Sequence, residues 1–452
     1  MSKVNKVQRR RIILTVTSVW LVLMLSNVMI QFPDATGTEI VSPSIDSEIE
    51  RLTDEGNIPS CHVCVVSGNE NNWVRGYGQE TDPDTVFLIG STQKVFVAVS
   101  VLQLHDEGLI DIDDDVNDYL PFEIRHPDYP DAEITIRMLL SHRAGLALIQ
   151  ESEFCYDWAG AYYPDYGSYY YPSVIGITLG DFLRECFSPE GQFYSTNNWE
   201  YEPGTQHLYA NSGFKILMYL LEVVSNQTIE EYMKENIFTP LRLNNTGFYA
   251  SDFEGLHAVP HARSNGVNVP LPVWNGEYML RSTVADMGHF LIALMNEGEF
   301  DGNVLLEPET VEMMLTNAAN NATTLDLVRA LKWKGYGLGM TLYSHGLYGH
   351  GGSTIGFTCE WFFNPESKLG FVRLSSVGGV LMRQDGDWEA LESYTDAIRD
   401  LVFTDIGLFP QISILEISLL VGITIVSFNV LRLGLKRYNR LQTKTAQEIA
   451  LL

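Results

Sequence analysis

The sequence predicts an α+β protein whose sheet is built from the two ends of its long central segment. Strand-like patterns occur near both ends of that segment, whereas the residues from Thr92 to Asn317 show helical periodicity interrupted by loops. If the terminal strands pair in one sheet, the helical part is an insertion, and residues 44–405 form one continuous domain. The expected strands are Ser60–Ser67 and Trp73–Gly78, which form a hairpin, then Gly335–Tyr343, Gly356–Asn364 and Gly370–Ser376, with a helix from about Asp387 to Phe403.

The composition is that of an ordinary globular protein, with 45% hydrophobic and 19% charged residues in a chain of 452. The formal net charge is −28, and ten of the 29 basic residues lie near the two ends, so the central segment is more acidic still. Such a charge balance disfavours nucleic acid as a partner, because phosphates repel carboxylates. It indicates a solubilising surface.

Cysteine and histidine usage predicts neither a disulfide scaffold nor a metal site. The chain has five cysteines, and Cys61 and Cys64 lie on an expected strand, where residues three apart face opposite sides. Core packing is therefore expected for both. Cys155 and Cys186 could pair outside the cell, but nothing in the sequence demands it. The ten histidines include no H-E-x-x-H or comparable spacing, and no cofactor is expected.

Two apolar runs predict a membrane-anchored chain. The first, 12–30, is 19 residues without a charge and follows five basic residues, which favour a cytoplasmic start. It is interpreted as an uncleaved anchor, with a cleaved signal peptide as the alternative. The second, 412–431, precedes another basic cluster; its alternative is an interfacial or domain-packing helix. The expected order is therefore a cytoplasmic tail (1–11), an anchor (12–30), a linker (31–43), an extracytoplasmic domain (44–405), a second membrane helix (412–431) and a cytoplasmic tail (432–452).

The central stretch of the chain, from Phe87 to Leu109, carries a candidate nucleophile. Ser91 and Lys94 lie three residues apart in the first turn of an apolar helix that is expected to end at Gly108. A serine hydroxyl beside a lysine amine, at a helix N-terminus that favours negative charge, is a candidate activated nucleophile. Ser-x-x-Lys alone is weak support, because chance copies are common.

Other patterns downstream join this pair. A turn at 202–205 leads to Tyr209-Ala210-Asn211, which opens a helical run to Val224. A nearby positive charge favours a phenolate, so Tyr209 is the candidate general base toward Ser91. Three further stretches stand out. The first is a short helix and turn whose His142 is interpreted as structural, and the second is a helix start capped by Ser282 or Thr283. The third is the segment 348–356 (YGHGGSTIG), which is expected to lie between strands.

The segment His350-Gly351-Gly352 is not the oxyanion motif of an α/β-hydrolase. That fold requires a G-x-S-x-G nucleophile elbow, which this sequence lacks. In that fold the oxyanion motif also precedes the nucleophile, whereas here it follows Ser91.

The combination of Ser91-Thr92-Gln93-Lys94, Tyr209-Ala210-Asn211 and His350-Gly351-Gly352, in that order, resembles the serine β-lactamase-related family. The branch it is most similar to contains class C β-lactamases, D-aminopeptidases, carboxylesterases and penicillin-binding relatives. The resemblance covers 44–403, and the supporting stretches are GLIDIDDDVNDYLP, ITIRMLLSHRAGL, EPGTQHLYANSGF and ENIFTPLRLNNTGF.

The resemblance implies a β-lactamase/transpeptidase-like fold: an antiparallel sheet flanked by helices, a mostly helical lobe, and a site between them. It implies Ser91 as the acylated nucleophile with Lys94 as its partner, and Tyr209 as the general base. Asn211 would orient the substrate, and His350, Gly351, Gly352 and Ser353 would complete the substrate-binding set. The backbone N–H groups of Ser91 and Ser353 would form the oxyanion hole.

One departure from the family pattern bears on the substrate. Antibiotic-hydrolysing and carboxypeptidase members usually carry Lys-Thr-Gly where this chain has His350-Gly351-Gly352. A histidine is mostly neutral at pH 7, so ester or small-amide hydrolysis gains over carboxylate recognition. The expected function is a membrane-anchored serine hydrolase that acts through an acyl-enzyme. The alternative is a non-catalytic sensor or scaffold ectodomain, which intact Ser91, Lys94 and Tyr209 speak against.

Overall fold

The computed structural model describes residues 41–147, 178–253, 255–271, 279–318, 333–343, 346–354, 356–378 and 387–406. All of them belong to one structural unit, Glu39–Phe409. The two segments expected to span a membrane, and Cys155 of the possible disulfide, lie outside these residues. Within the described ranges, no helix is long and apolar enough to cross a bilayer.

Strands frame a largely helical middle, as the sequence predicts. In chain order the elements are α1 (Pro43–Glu55), β1 (Ser60–Ser67), β2 (Glu70–Gly78), β3 (Phe87–Leu88), α2 (Gln93–Asp106), α3 (Ile136–Leu140), α4 (Leu179–Phe187), α5 (Asn211–Ser225), α6 (Ile229–Met233), β4 (His261–Ser264), β5 (Val267–Pro270), β6 (Arg281–Ser282), α7 (Val284–Met295), β7 (Glu299–Phe300), β8 (Asn303–Val304), α8 (Pro308–Met314), β9 (Trp333–Tyr336), β10 (Thr341–Tyr343), β11 (Tyr348–Thr354), β12 (Phe357–Asn364), β13 (Leu369–Ser375) and α9 (Asp387–Ile406).

Seven of the strands form one antiparallel sheet in the order β2-β1-β13-β12-β11-β10-β9. The pairing of β1 with β13 joins the two ends of the described chain, with Cys64 opposite Val372. The remaining strands form three two-stranded ribbons within the helical part. The α+β prediction, with one sheet built from both ends, is therefore confirmed.

The sheet is covered on both faces, so strand β1 is buried along almost its whole length. Cys64 packs into the large core that contains α2 and α7, whereas Cys61 packs with α1 and α9 on the other face. The two cysteines of the C-x-x-C therefore face opposite sides, as their spacing predicts, and serve as core residues.

Helix α2 runs through the centre of the large core. Twelve of its 14 residues are buried, which is the expected behaviour of a helix that is apolar on nearly all sides. It ends as the sequence predicts: Gly108 adopts a φ of +70°, and the N–H of Leu109 donates to the Leu104 carbonyl at 2.9 Å.

The structure corrects two predictions near the end of the sheet. Gly335–Tyr343 is two strands, β9 and β10, separated by Gly339, whose φ is +74°. The segment expected between strands is itself strand β11, paired with β12 along its length. Glycine-rich sequence has low strand propensity, so pairing with a strong neighbour, rather than its own residues, gives β11 its conformation.

Candidate active site

Ser91 lies in the 3₁₀ turn Gly90–Thr92 that leads into α2. Gly90 has a φ of +56°, and a Cβ there would lie 2.9 Å from the backbone nitrogen of Ser353. Glycine is therefore required both by conformation and by the close approach of β11. Lys94 is buried on the first turn of α2, and its Nζ donates a hydrogen bond to the Ser91 Oγ at 3.1 Å. The predicted nucleophile and its lysine partner are in direct contact.

Aromatic rings surround the Lys94 ammonium. Its Nζ lies 5.0 Å from the ring centre of Tyr209 and 5.9 Å from that of Phe214 on α5. Among the described residues, no carboxylate forms a salt bridge with Lys94. The negative faces of the rings are thus what the structure offers to this cation.

Tyr209 lies just before α5, and its ring centre is 6.3 Å from that of His350. Its phenol oxygen is buried and has no hydrogen-bond partner among the described residues. The structure therefore brings the Tyr209 ring to Lys94 without a hydrogen bond between its hydroxyl and Ser91. Catalytic hydrogen bonds often form only when substrate is bound, so this geometry is compatible with a general base.

His142 holds the segment that carries Tyr209. The imidazole is buried after α3, at a residue with a φ of +55°, and its Nδ1 accepts a hydrogen bond from the N–H of Ala210 at 3.2 Å. Its ring centre is 4.3 Å from that of Tyr209. Burial, and then the charge on Lys94, hold the pKa of His142 well below its usual value, so the ring is neutral. These contacts agree with the structural role expected for His142.

Asn211 is the first residue of α5 and is exposed. Its predicted role in orienting a substrate needs an exposed side chain, and the structure provides one next to Tyr209.

His350 is buried on β11, with both ring nitrogens hydrogen-bonded. Nδ1 donates to the carbonyl of Gly351 at 2.7 Å, and Nε2 lies 3.1 Å from the hydroxyl of Tyr336 on β9. Burial, followed by the charge on Lys94, lowers the pKa of His350 to about 4. The imidazole is therefore neutral at pH 7, as expected from its residue type.

Along β11, the backbone rather than a side chain faces the turn that contains Ser91. A Cβ on Gly352 would lie 2.0 Å from the carbonyl oxygen of Ile89, whereas Gly351 is exposed and has open space beyond its Cα. Gly352 thus lets β11 pass close to the turn that contains the predicted nucleophile. It brings the backbone nitrogen of Ser353, a predicted oxyanion donor, against the turn that contains Ser91.

Tyr336 is the site residue that the sequence analysis missed. It is buried, its ring centre lies 4.9 Å from that of His142, and burial raises the pKa of its phenol well above the usual value. No motif marks it, because a tyrosine in a short strand is ordinary core composition. Only the order of the sheet brings it to His350.

The Beta-lactamase family model matches residues 45–395 of the chain. Penicillin-binding protein 4 of Amycolatopsis lactamdurans is 28% identical over 373 residues, which are 78% of this chain and 87% of that protein. Protein flp of Staphylococcus aureus (strain MRSA252) is 23% identical over 349 residues, 74% of this chain; the match spans only 62% of flp.

The solved structure of EstCE1, a hydrolase with promiscuous acyltransferase activity, superposes with a TM-score of 0.60 at 19% identity, over 80% of this chain and 98% of that one. At this identity the likeness establishes the fold, and it confirms the β-lactamase/transpeptidase-like architecture. Together with the family match over most of the chain, it confirms the resemblance that the three motifs indicate. The chain belongs to the Beta-lactamase family.

Proposed function

We propose that this chain is a membrane-anchored, extracytoplasmic serine hydrolase that forms an acyl-enzyme at Ser91 and prefers uncharged esters. The observation that carries the proposal is the 3.1 Å hydrogen bond from Lys94 to Ser91, made by a buried ammonium at the start of the central helix. A purely structural role does not explain the burial of this ammonium, because burying a cation without a carboxylate partner costs free energy that ring contacts only partly offset.

In the proposed reaction, the Ser91 Oγ attacks the carbonyl carbon of the substrate while its proton passes to the phenolate form of Tyr209. The backbone N–H groups of Ser91 and Ser353 would stabilise the resulting oxyanion, at ~3–4 kcal/mol for each such donor in related chemistry. Collapse of the intermediate transfers the proton from Tyr209 to the leaving alcohol or amine and leaves the acyl group on Ser91. A water molecule then gives a proton to the Tyr209 phenolate and attacks the acyl carbon. The bond between that carbon and the Ser91 Oγ breaks, the proton returns from Tyr209 to Oγ, and the acid leaves.

The preference for uncharged substrates rests on His350. A lysine at this position would offer a permanent cation, and a charge-assisted bond to a carboxylate contributes ~1.5–3 kcal/mol. His350 is neutral and both of its nitrogens are occupied, so it offers no such bond. The name of EstCE1, a hydrolase with acyltransferase activity, agrees with ester chemistry on this fold.

Membrane anchoring is supported by the position of the two chain ends in the described unit. The N–H of Ser42 donates to the carboxylate of Asp405 at 2.8 Å, and α1 packs against α9. The first and last described residues therefore lie close together, an arrangement that is favourable for a domain tethered at both ends to one bilayer.

A comparison of kcat/KM tests the substrate class. The proteins are wild type and His350→Lys; the substrates are nitrocefin and p-nitrophenyl butyrate, with 3-carboxyphenyl butyrate and its neutral match 3-carbamoylphenyl butyrate. We expect wild type to prefer the uncharged esters, and His350→Lys to shift the carboxyl-to-carbamoyl ratio by about 10- to 100-fold towards the acid. A wild-type preference for nitrocefin, or for the carboxyl ester over its carbamoyl match, contradicts the proposal, whereas an unchanged ratio in His350→Lys shows only that a side chain at position 350 does not reach the substrate.

A further inference from the structure

The hydrogen bonds of His350 determine which of its two ring nitrogens carries the proton. A carbonyl oxygen can only accept, so the 2.7 Å contact with Gly351 requires a proton on Nδ1. Since the ring is neutral, Nε2 carries a lone pair, and the hydroxyl of Tyr336 must donate to it across 3.1 Å. The chain of donors therefore runs from Tyr336 through His350 to the Gly351 carbonyl.

This series of hydrogen bonds ends at the part of β11 that lies against the turn containing Ser91. Gly351 directly precedes Gly352, which lies against Ile89, and is two residues before Ser353, whose nitrogen lies against Gly90. A shift of the Gly351 peptide would therefore move the backbone on which the Ser353 N–H depends.

We propose that Tyr336 and His350 form a neutral, hydrogen-bonded pair that positions β11, the strand that carries the predicted oxyanion donor Ser353. Tyr336 is then a positioning residue for catalysis, and His350 acts through β11 rather than by contacting substrate. The inference rests on the proposed acyl-enzyme mechanism. It assigns a role to a residue that no motif marks, and it moves His350 from the predicted set of substrate-binding residues to the set that holds the strand.

The groups around the pair support this assignment. The titratable side chains that face His350 are Lys94, Tyr209, Tyr336 and His142. None of those four is a carboxylate, so nothing among them favours an imidazolium. With 4% of its surface exposed, His350 also has little area to offer a substrate.

Nuclear magnetic resonance of histidine tests the pair without reference to activity. Uniformly ¹⁵N-labelled histidine, with His350→Gln to assign the signal, should show His350 as the neutral Nδ1–H tautomer at pH 7. Tyr336→Phe should change the Nε2 shift of that residue, whereas Tyr348→Phe, which removes a hydroxyl two residues away on the same strand, should not. An Nε2–H tautomer, a charged ring, or an unchanged Nε2 shift in Tyr336→Phe overturns the inference.

Steady-state kinetics of Tyr336→Phe, His350→Gln and the double variant test the positioning role. Rates are divided by the fraction of enzyme that a fluorophosphonate labels once labelling has gone to completion, which removes the contribution of misfolded protein. We expect kcat for 3-carbamoylphenyl butyrate to fall about 10- to 100-fold with KM nearly unchanged, because a misplaced oxyanion donor is felt in the transition state. Since both residues act through one chain of hydrogen bonds, the double variant should lose no more than the larger single loss.

A rise in KM at constant kcat would show that His350 contacts substrate, and additive losses in the double variant would show that the two residues act independently; either result overturns the inference. The two proposals fail separately. If wild type neither hydrolyses the esters nor takes the label, the acyl-enzyme function is wrong, whatever the tautomer of His350. If wild type is active and Tyr336→Phe keeps wild-type kcat, only the positioning role is wrong.

Discussion

The Lys94 ammonium lies over the ring of Tyr209, 5.0 Å from its centre, while the phenol oxygen of Tyr209 makes no hydrogen bond within the described residues. The cation thus contacts the face of the tyrosine ring and the hydroxyl of Ser91. This arrangement keeps a buried positive charge beside Ser91 without a carboxylate to neutralise it.

Replacing Lys94 with methionine should abolish most activity. The change keeps the length of the side chain but removes the ammonium that donates to Ser91, and we expect kcat/KM to fall by about 10²- to 10⁴-fold. The matched control is Lys215→Met, because Lys215 also lies over an aromatic ring, 5.2 Å from the centre of Phe182, outside the candidate site. Equal losses in the two variants would contradict a specific role for Lys94.

Removing the hydroxyl of Tyr209 should affect rate and not stability. Tyr209 and Tyr232 both carry buried phenol oxygens without a partner among the described residues, so neither Tyr→Phe change costs a described hydrogen bond. We expect both variants to keep the wild-type unfolding midpoint. Tyr209→Phe should lower kcat about 100-fold or more, whereas Tyr232→Phe, on α6, should leave it unchanged. An active Tyr209→Phe enzyme would remove Tyr209 from the role of general base.

The buried carboxyl group of Asp286 is expected to make the stability of the folded unit depend on pH. Burial raises the pKa of Asp286 from 3.8 to about 6, although it accepts hydrogen bonds from Thr246 and from the N–H of Asn245. The folded state therefore favours the protonated form: its contribution to stability is complete below pH 4 and is lost as the pH rises through 6.

The variant Asp286→Asn should isolate this contribution. We expect its free energy of unfolding, relative to wild type, to increase between pH 4 and pH 7 by an amount of order 3 kcal/mol. Urea unfolding at both pH values measures the difference. A difference that stays constant with pH would show that the pKa of Asp286 is the same in the folded and unfolded states, and would contradict the prediction.

The sequence predicts much of this architecture because the relevant signals are local. The hairpin of β1 and β2, the end of α2 at Gly108 and the contact between Ser91 and Lys94 follow from residues close together in the chain. Thr283, one of two proposed caps, accepts from the N–H of Asp286 at the start of α7.

What the sequence could not predict depends on contacts between distant segments. Strand β11 has glycines where strand formers are usual, and it is a strand because β12 pairs with it and because Gly352 lets it approach Ile89. Tyr336 reaches His350 because β9 and β11 both flank β10. A short motif specifies neither the pairing partner of a strand nor the order of the strands in a sheet.

The proposed topology predicts which parts of the chain a protease can reach. Both tails should be cytoplasmic, because basic clusters flank both apolar runs, and the two ends of the described unit are joined by the bond from Ser42 to Asp405. Protease added to intact cells should digest residues 44–405 and spare tags at both termini. Digestion of the C-terminal tag, or a mature chain that starts after Ile30, would contradict the two-anchor proposal.

Covalent labelling tests the central claim most directly. Full-length protein is treated with a fluorophosphonate or a penicillin probe, digested, and the modified peptide identified by mass spectrometry. The account predicts one adduct, on the Oγ of Ser91, that Ser91→Ala abolishes while the unfolding midpoint stays close to that of wild type. An adduct on any other residue, or undiminished labelling of the Ser91→Ala variant, would contradict it.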